Sequence, residues 1–300
     1  MTPLRTTARG TLAFALALLV TFVVGKASAS SKEPPATIVF PVLGPSTYSD
    51  DFGEPRPGGL HQGIDIVAPK RALALAVEAG KVKFWASSAS AGCMLYLYGA
   101  SGTTYFYIHL NNDLTKRNDN RGKCVAGTAY AKGLKSGAKV SAGQVVGYVG
   151  DSGDAEGVHP HLHFELHPAG GRAVDPYAWL QRGQHLLFAA ARGTPFTLEL
   201  RGTVAATTAD GLRLKAGSVS AWPMGQRQSK LSRKLLVHVP ASAIVQTVRR
   251  WGAPGTRVDL ADAQPGQSVD LWTAAAPATL KAERGDDLAL EASLVSLLSR

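Results

Sequence analysis

The sequence predicts a mostly β protein built from antiparallel strands, with a second, smaller β-rich unit of barrel or sandwich type towards its C-terminus. Three observations predict this. Apolar and polar residues alternate over short runs, the two-residue period of a strand with one face on a core. Between residue 38 and about Pro176, no apolar pattern of helical period reaches the roughly twelve residues that would separate a helix from a strand. The chain's 32 glycines break the runs at close intervals, as hairpins and bulges require.

Taken in order, residues 30–37 contain Pro34 and Pro35 and form a linker into a first strand at 38–40. Further strands are expected at 63–67, 82–85, 94–98, 103–108, 145–149 and 162–166. Residues 111–134 are polar, with Arg117, Asn118, Asp119, Asn120 and Arg121 in one cluster, and are expected to form a long surface loop. Residues 177–192 have a brief helical pattern that ends at Gly193-Thr194-Pro195, the expected boundary between a domain at 38–192 and a C-terminal domain at 193–300. In the latter, short strands are expected at 196–203, 212–214, 235–239 and 269–272, with turns at Ala209-Asp210-Gly211 and Gln264-Pro265-Gly266. This half holds one histidine in an apolar strand, His238, which is expected to be structural, so the C-terminal domain is assigned no activity.

Residues 1–29 have the organisation of a secretory signal peptide: basic Arg5 and Arg9, an apolar run at 11–24, and the small-residue site Ala27-Ser28-Ala29. The run is shorter than the roughly 18 to 20 residues a spanning helix needs, with an uncleaved anchor as the alternative. The mature chain is therefore expected to be exported, periplasmic or secreted to the cell wall, not membrane-spanning, and a monomer. Its formal charge of +10 falls to +7 when Arg5, Arg9 and Lys26 leave with the signal. That charge suits the carboxylates and phosphates of a cell wall, or serves solubility alone. No basic run is interleaved with aromatic residues, which argues against a nucleic-acid partner. Cys93 and Cys124 are the only cysteines. In an oxidising compartment they can form one disulfide, with inert buried thiols as the alternative, and no CxxC spacing makes them a zinc site.

The stretch His159-Pro160-His161-Leu162-His163-Phe164-Glu165-Leu166-His167 holds four of the chain's eight histidines. Such a tract can be a loose metal buffer, a pH-sensitive surface or one wall of an active site. Read as a strand, it puts His161, His163 and Glu165 on one face and Leu162, Phe164 and Leu166 on the other. A surface tract has no need of that alternation. Two histidines at i, i+2 can meet one metal, and a catalytic zinc needs a third protein ligand with a fourth position open. His61 and Asp65, in Gly58-Gly59-Leu60-His61-Gln62-Gly63-Ile64-Asp65, share a face of an extended segment and are the best source of it.

These motifs resemble the LytM and lysostaphin-type zinc endopeptidases that cut peptidoglycan peptides. The resemblance covers about residues 39–180 and adds Glu78-Ala79-Gly80-Lys81-Val82, Tyr107-Ile108-His109-Leu110 and the segment 136–144 to the two histidine boxes. It implies that 38–192 is a zinc metalloendopeptidase domain. It also implies that His61, Asp65 and His163 bind Zn2+, and that His109 and His161 are the catalytic histidines. The implied reaction is hydrolysis of peptide bonds in peptidoglycan stems or cross-bridges by zinc-bound water. The alternative is a non-catalytic member of the same family that binds the wall or activates another hydrolase. No glutamate stands beside a ligand as in the H-E-x-x-H peptidases, so a histidine must take the water's proton. His161 is close enough to a ligand for that, with His109 bonding the developing oxyanion, although the residues alone do not separate the two roles. Glu165 is expected to orient His163. Asp151 and Asp154 read as turn formers, His159 as groove rim and His167 as solvated. The departures from the family pattern are His159 in place of the usual glycine, the long loop with Cys124, and the C-terminal unit.

Overall fold

The computed structural model describes residues 34–86, 88–115, 117–285 and 290–299. The expected signal peptide and the first residues of the linker lie outside them. Ten strands precede residue 170. A small hairpin, β1 (Pro55–Arg56) and β2 (Gly59–Leu60), leads into β3 (Ile64–Val67) and β4 (Leu73–Leu75). There follow β5 (Gly80–Trp85), β6 (Cys93–Gly99), β7 (Thr104–Leu110), β8 (Lys139–Val140), β9 (Val145–Tyr148) and β10 (His161–His167). Six of these form one antiparallel sheet in the order β3-β10-β7-β6-β5-β8, and β4 pairs with β9 beside it.

Alternation sets the two faces of the six-stranded sheet. Ile64, Ile66, Leu95, Leu97, Tyr105, Tyr107, Leu162, Phe164 and Leu166 all turn inward and are fully buried with Ile38, Phe40 and Val42. The opposite face carries Asp65, His161, His163 and Glu165. The expected strand at 38–40 is not a ladder strand, although its apolar residues are core. Val39 bonds to Val77 and Phe40 to Gln184, so the segment is held from two sides with no single partner. The loop 111–134 is less superficial than its polarity suggests. Asn111, Asp113, Ala129 and Tyr130 are fully buried, and the Tyr130 ring stacks on Phe84 at 3.7 Å while its hydroxyl donates to the Met94 carbonyl. A disulfide joins Cys93 to Cys124 and ties this loop to β6.

The helix expected over 177–192 is one short turn, α1 (Tyr177–Gln181). Beyond Gly183 the chain continues without helix, with Leu186, Leu187, Phe188 and Ala189 all buried. The strands that follow are longer than expected: β11 (Pro195–Thr208), β12 (Gly211–Trp222) and β13 (Gln226–His238). Irregular register between Arg201 and Gly202, Val204 and Ala206, and Ala216 and Ser218 interrupts the alternation, so each long strand reads as pieces in the sequence. Then come β14 (Ile244–Val248), β15 (Thr256–Arg257), β16 (Ser268–Thr273), β17 (Ala276–Pro277), α2 (Leu280–Arg284) and β18 (Ala292–Leu298). They complete an eight-stranded sheet in the order β13-β12-β11-β16-β18-β14-β15, with β17 on β11 and one parallel pair, β14 with β18. Leu198, Leu214, Val237, Leu271 and Val295 head a second apolar core.

The described residues nevertheless form one compact unit. Leu186 and Ala189, beyond the first sheet, pack with Val39, Leu43 and Leu75 in a small cluster of their own. From α2, Leu280 and the Glu283 carboxylate approach Gly143. Among the described residues no helix is long and apolar enough to cross a membrane.

The disulfide closes a loop of 31 residues. A Cys93→Ser, Cys124→Ser variant is expected to lose about 3 to 4 kcal/mol in chemical denaturation under non-reducing conditions. Glu283 is 2% exposed, and burial pushes its carboxyl up from 4.5 to about 7. Its folded pKa lies above the unfolded one, so the stability linked to its proton is present below about pH 4.5 and is lost as pH rises through about 7. Glu283→Gln is therefore expected to melt at a higher temperature than the natural chain at pH 8 and at nearly the same temperature at pH 4.

Candidate metal centre

The site follows from strand pairing. Strand β10 lies between β3 and β7, with His163 opposite Asp65 on one side and Ile108 on the other. Directly paired residues project to the same face, so Asp65 and His163 stand side by side on the polar surface. His61 comes from the segment after β2, held by His61 N–H to the Glu54 carbonyl (2.9 Å) and Gly53 N–H to the His61 carbonyl (2.8 Å). Between His61 and Asp65 the chain crosses close over β10. A Cβ at Gly63 would lie 2.5 Å from the Phe164 carbonyl oxygen and 2.9 Å from His163 Nε2, so the middle of the H-x-x-x-D box has room only for glycine.

His61, Asp65 and His163 form the one His/Cys/Asp/Glu group among the described residues that could hold a metal ion. Their facing atoms make a near-equilateral triangle: His61 Nε2 to His163 Nδ1 2.8 Å, His163 Nδ1 to Asp65 Oδ1 3.0 Å, and His61 Nε2 to Asp65 Oδ1 3.1 Å. A tetrahedral ion with bonds of about 2.0 to 2.1 Å needs edges near 3.3 Å. The donor set, two imidazoles and a carboxylate, and its spacing therefore fit zinc with a small outward adjustment.

The outer partners decide which nitrogen faces inward. His61 Nδ1 lies 2.8 Å from the Asp51 carbonyl oxygen, and His163 Nε2 lies 2.9 Å from Glu165 Oε1. Each of those nitrogens donates its proton outward, so that when the rings act as ligands the other nitrogen presents a lone pair inside the triangle, where without a metal it shares a proton with Asp65. Arg56 reaches Asp65 Oδ2 (3.3 Å) and Asp51 Oδ2 (3.0 Å), so only Oδ1 of Asp65 turns to the histidines. Burial opposes ionisation of Asp65, but hydrogen bonds from His163 and His61 outweigh it and hold its carboxyl well below the usual range. Burial likewise opposes a charge on His163, yet its bonds to Asp65 and Glu165 lift it to about 9. A proton and a cation answer the same negative field there, and as a ligand His163 must give up the proton.

His161 and His109 stand beside the triangle. His161 Nε2 is 3.7 Å from Asp65 Oδ1, and its Nδ1 is 3.0 Å from the His159 carbonyl oxygen. His109, the penultimate residue of β7, has a left-handed backbone (φ 59°). Its Nδ1 lies 2.8 Å from the Ser152 carbonyl oxygen, and its ring centroid is 5.0 Å from that of His161. Burial first, and then the neighbouring His161, lower its pKa to about 4. All five residues border an open cleft of about 1050 Å³ that His159, Arg56 and Tyr48 also line.

Two expectations are corrected here. His167 is not solvated: it is 7% exposed, with Nε2 2.6 Å from Glu165 Oε2 and Nδ1 2.9 Å from the Gly171 carbonyl oxygen, because β10 runs on to include it. Asp151 does more than form a turn. It is buried and shares Lys70 Nζ with buried Asp113, at 2.9 and 2.7 Å. Asp113 Oδ1 also accepts the Asp119 and Asn120 N–H groups (2.6 and 2.8 Å), so Lys70 fastens the long loop to the turn whose Ser152 carbonyl holds His109. Asp154 stays exposed, 3.7 Å from His109 Nε2. Asp51, Arg56, Lys70 and Ser152 belong to no motif and touch their partners across gaps in sequence that no periodicity marks.

Parts of the chain are similar to known proteins. The model of peptidase family M23 matches residues 125–176. The L-Ala–D-Glu endopeptidase of Bacillus subtilis (strain 168) is 28% identical over 152 residues, which span 47% of this chain and 41% of that protein. Among solved structures, the catalytic domain of lysostaphin from Staphylococcus simulans is 25% identical, covering 45% of this chain and 92% of that one, with a TM-score of 0.36. A putative glycyl-glycine endopeptidase lytM from Ruminococcus gnavus is also 25% identical, covering 48% and 59%, with a TM-score of 0.38. The region that carries the site is thus similar to peptidases of family M23 over part of its length, and the chain spans less than half of the Bacillus subtilis relative.

Removing the Lys70 ammonium leaves two buried carboxylates uncompensated. Lys70→Met is expected to cost about 3 to 5 kcal/mol in urea denaturation, and a loss below 1 kcal/mol would show that the clamp does not hold the loop.

Proposed function

We propose that this chain is a zinc-dependent endopeptidase that hydrolyses peptide bonds in the stems or cross-bridges of peptidoglycan, acting outside the cytoplasm. The observation that carries the proposal is the inward triangle of His61 Nε2, His163 Nδ1 and Asp65 Oδ1, with each ring turned by its own outer acceptor. When bound, zinc lowers the pKa of a water and polarises a carbonyl. The likeness to an L-Ala–D-Glu endopeptidase supports a stem peptide as the substrate.

The protein's own groups supply the proton path. His61, Asp65 and His163 hold the ion, and Glu165, Asp51 and Arg56 keep their lone pairs aimed at it. His109 and His161 each donate the Nδ1 proton to a carbonyl, which turns an Nε2 lone pair to the cleft. In this tautomer neither ring has a hydrogen to offer an oxyanion. One ring must first take the proton of the attacking water, and the imidazolium so formed can then hand it to the leaving amine. His161, whose Nε2 stands 3.7 Å from Asp65 Oδ1, takes the first role. His109, fixed by Ser152, lines the same cleft and offers its Nε2 as an acceptor that orients the attacking water or the peptide N–H. The open cleft accepts an extended peptide along the sheet.

His163→Ala is expected to lose both metal and hydrolysis of a soluble stem peptide. His161→Ala and His109→Ala are expected to retain the metal and lose kcat by about 10²- to 10⁴-fold. Elemental analysis beside a peptide-cleavage assay separates the two outcomes, and full hydrolysis by the His163→Ala protein would overturn the assignment.

A further inference from the structure

The β12–β13 ribbon carries a charge distribution that the cleft does not use. Between residues 211 and 258 there are nine lysines and arginines and no aspartate or glutamate. Pairing places several of them on one outward face. Lys215 stands directly opposite Lys234, Ser220 opposite Arg227, and Arg213 opposite Leu236. Leu214, Ala216, Val219 and Ala221 turn inward, whereas Arg213, Lys215, Arg227 and Lys234 are exposed. None of these four pairs with a carboxylate among the described residues. The nearest acids on the face, Glu199 and Asp270 of β11 and β16, are both bonded to Arg201, at 2.6 and 3.2 Å. Like charges directly opposite across two strands destabilise a sheet, so the Lys215/Lys234 pair is retained at some cost. Trp222 lies on the same face and is 47% exposed.

We propose that the outward face of the β12–β13 ribbon is a docking surface for peptidoglycan, held through the carboxylates of its stem peptides. Charge complementarity argues for this occupant: four unpaired cations on a carboxylate-free ribbon meet a polymer with a carboxylate on every stem. The exposed Trp222 adds an apolar flat surface of the kind that packs on sugar rings. The proposal rests on the function proposed above, because the polymer acted on in the cleft is the one within reach of the ribbon. It gives the C-terminal sheet the task of holding polymeric substrate while the first sheet cuts it.

The test measures co-sedimentation of the full chain with insoluble, purified sacculi, beside cleavage of a soluble stem peptide. The variant replaces Arg213, Lys215, Arg227 and Lys234 with glutamine, exposed positions at which the core is untouched. It is expected to bind sacculi about tenfold more weakly, while cleaving the soluble peptide within twofold of the natural rate. In a second arm, sacculi whose carboxylates have been converted to amides are expected to lose binding of the unaltered chain by a similar factor, and added salt to mimic that loss. Unchanged binding in either arm overturns the proposal. So does tighter binding to duplex DNA than to sacculi at the same salt, or self-association of the variant with sacculus binding intact, which would make the lysines guards of an exposed edge strand. Loss of sacculus binding in both arms by a chain that cuts no stem peptide would leave the docking surface standing and remove the peptidase reading instead.

Discussion

The pairing of β10 between β3 and β7 is the constraint on which the rest of the molecule depends. A strand's side-chain period is two, so a slip of one residue would send His161, His163 and Glu165 into the core and Leu162, Phe164 and Leu166 into water. The three apolar residues, each fully buried, thus set the register that places His163 against Asp65. The candidate metal centre is built on β3 and β10, whose inward residues Ile64, Ile66, Leu162, Phe164 and Leu166 are fully buried. Only His61 comes from outside the ladder, and its approach is fixed by the one residue, Gly63, that lets the chain pass over β10.

Around that frame the polar groups form a chain of directed hydrogen bonds. Glu165 is shared between His163 and His167, Asp51 between His61 and Arg56, and Ser152 between His109, Leu110 and Cys93. Each bond fixes a ring or a carboxylate in one orientation, so the lone pairs that matter point into the cleft before any substrate arrives. His109 holds a left-handed backbone that a side-chain-bearing residue avoids. Strain of this kind persists where the surroundings over-determine it. Here the Ser152 bonds, the Lys70 clamp with Asp113 and Asp151, and the Cys93–Cys124 link all converge on the segment around it.

Much of the first sheet could be read from the sequence because it obeys the simplest rule, alternation with one face on a core. The histidine face of β10 and the His61/Asp65 spacing followed directly, and the resemblance joined two boxes about a hundred residues apart. What escaped did so for physical reasons. Residues 38–40 are core by composition yet bond to two different segments, so no strand partner exists to define them. The long strands of the C-terminal sheet are broken by bulges, which erase the period that would reveal them. Polar residues such as Asn111, Asp113 and Asp151 look like surface, because their burial is balanced by Lys70 and backbone groups distant in sequence. His167 read as solvated because its partners, Glu165 and the Gly171 carbonyl, become evident only once β10 is extended to its true end.

The two sheets differ plainly in charge. The cleft is lined by Asp51, Asp65, Asp154 and Glu165 around a single arginine, Arg56, whereas the β12–β13 ribbon carries lysines and arginines and no carboxylate. What unites the molecule is the identity of the atoms in the donor triangle, and the most direct measurement is anomalous diffraction at the zinc absorption edge from crystals grown with the metal. The expected result is one peak about 2.0 to 2.1 Å from His61 Nε2, His163 Nδ1 and Asp65 Oδ1, with His109 and His161 unligated. A peak bonded to His161 or His109, or to the Nδ1 of His61, would contradict the tautomers and with them the whole arrangement of the site.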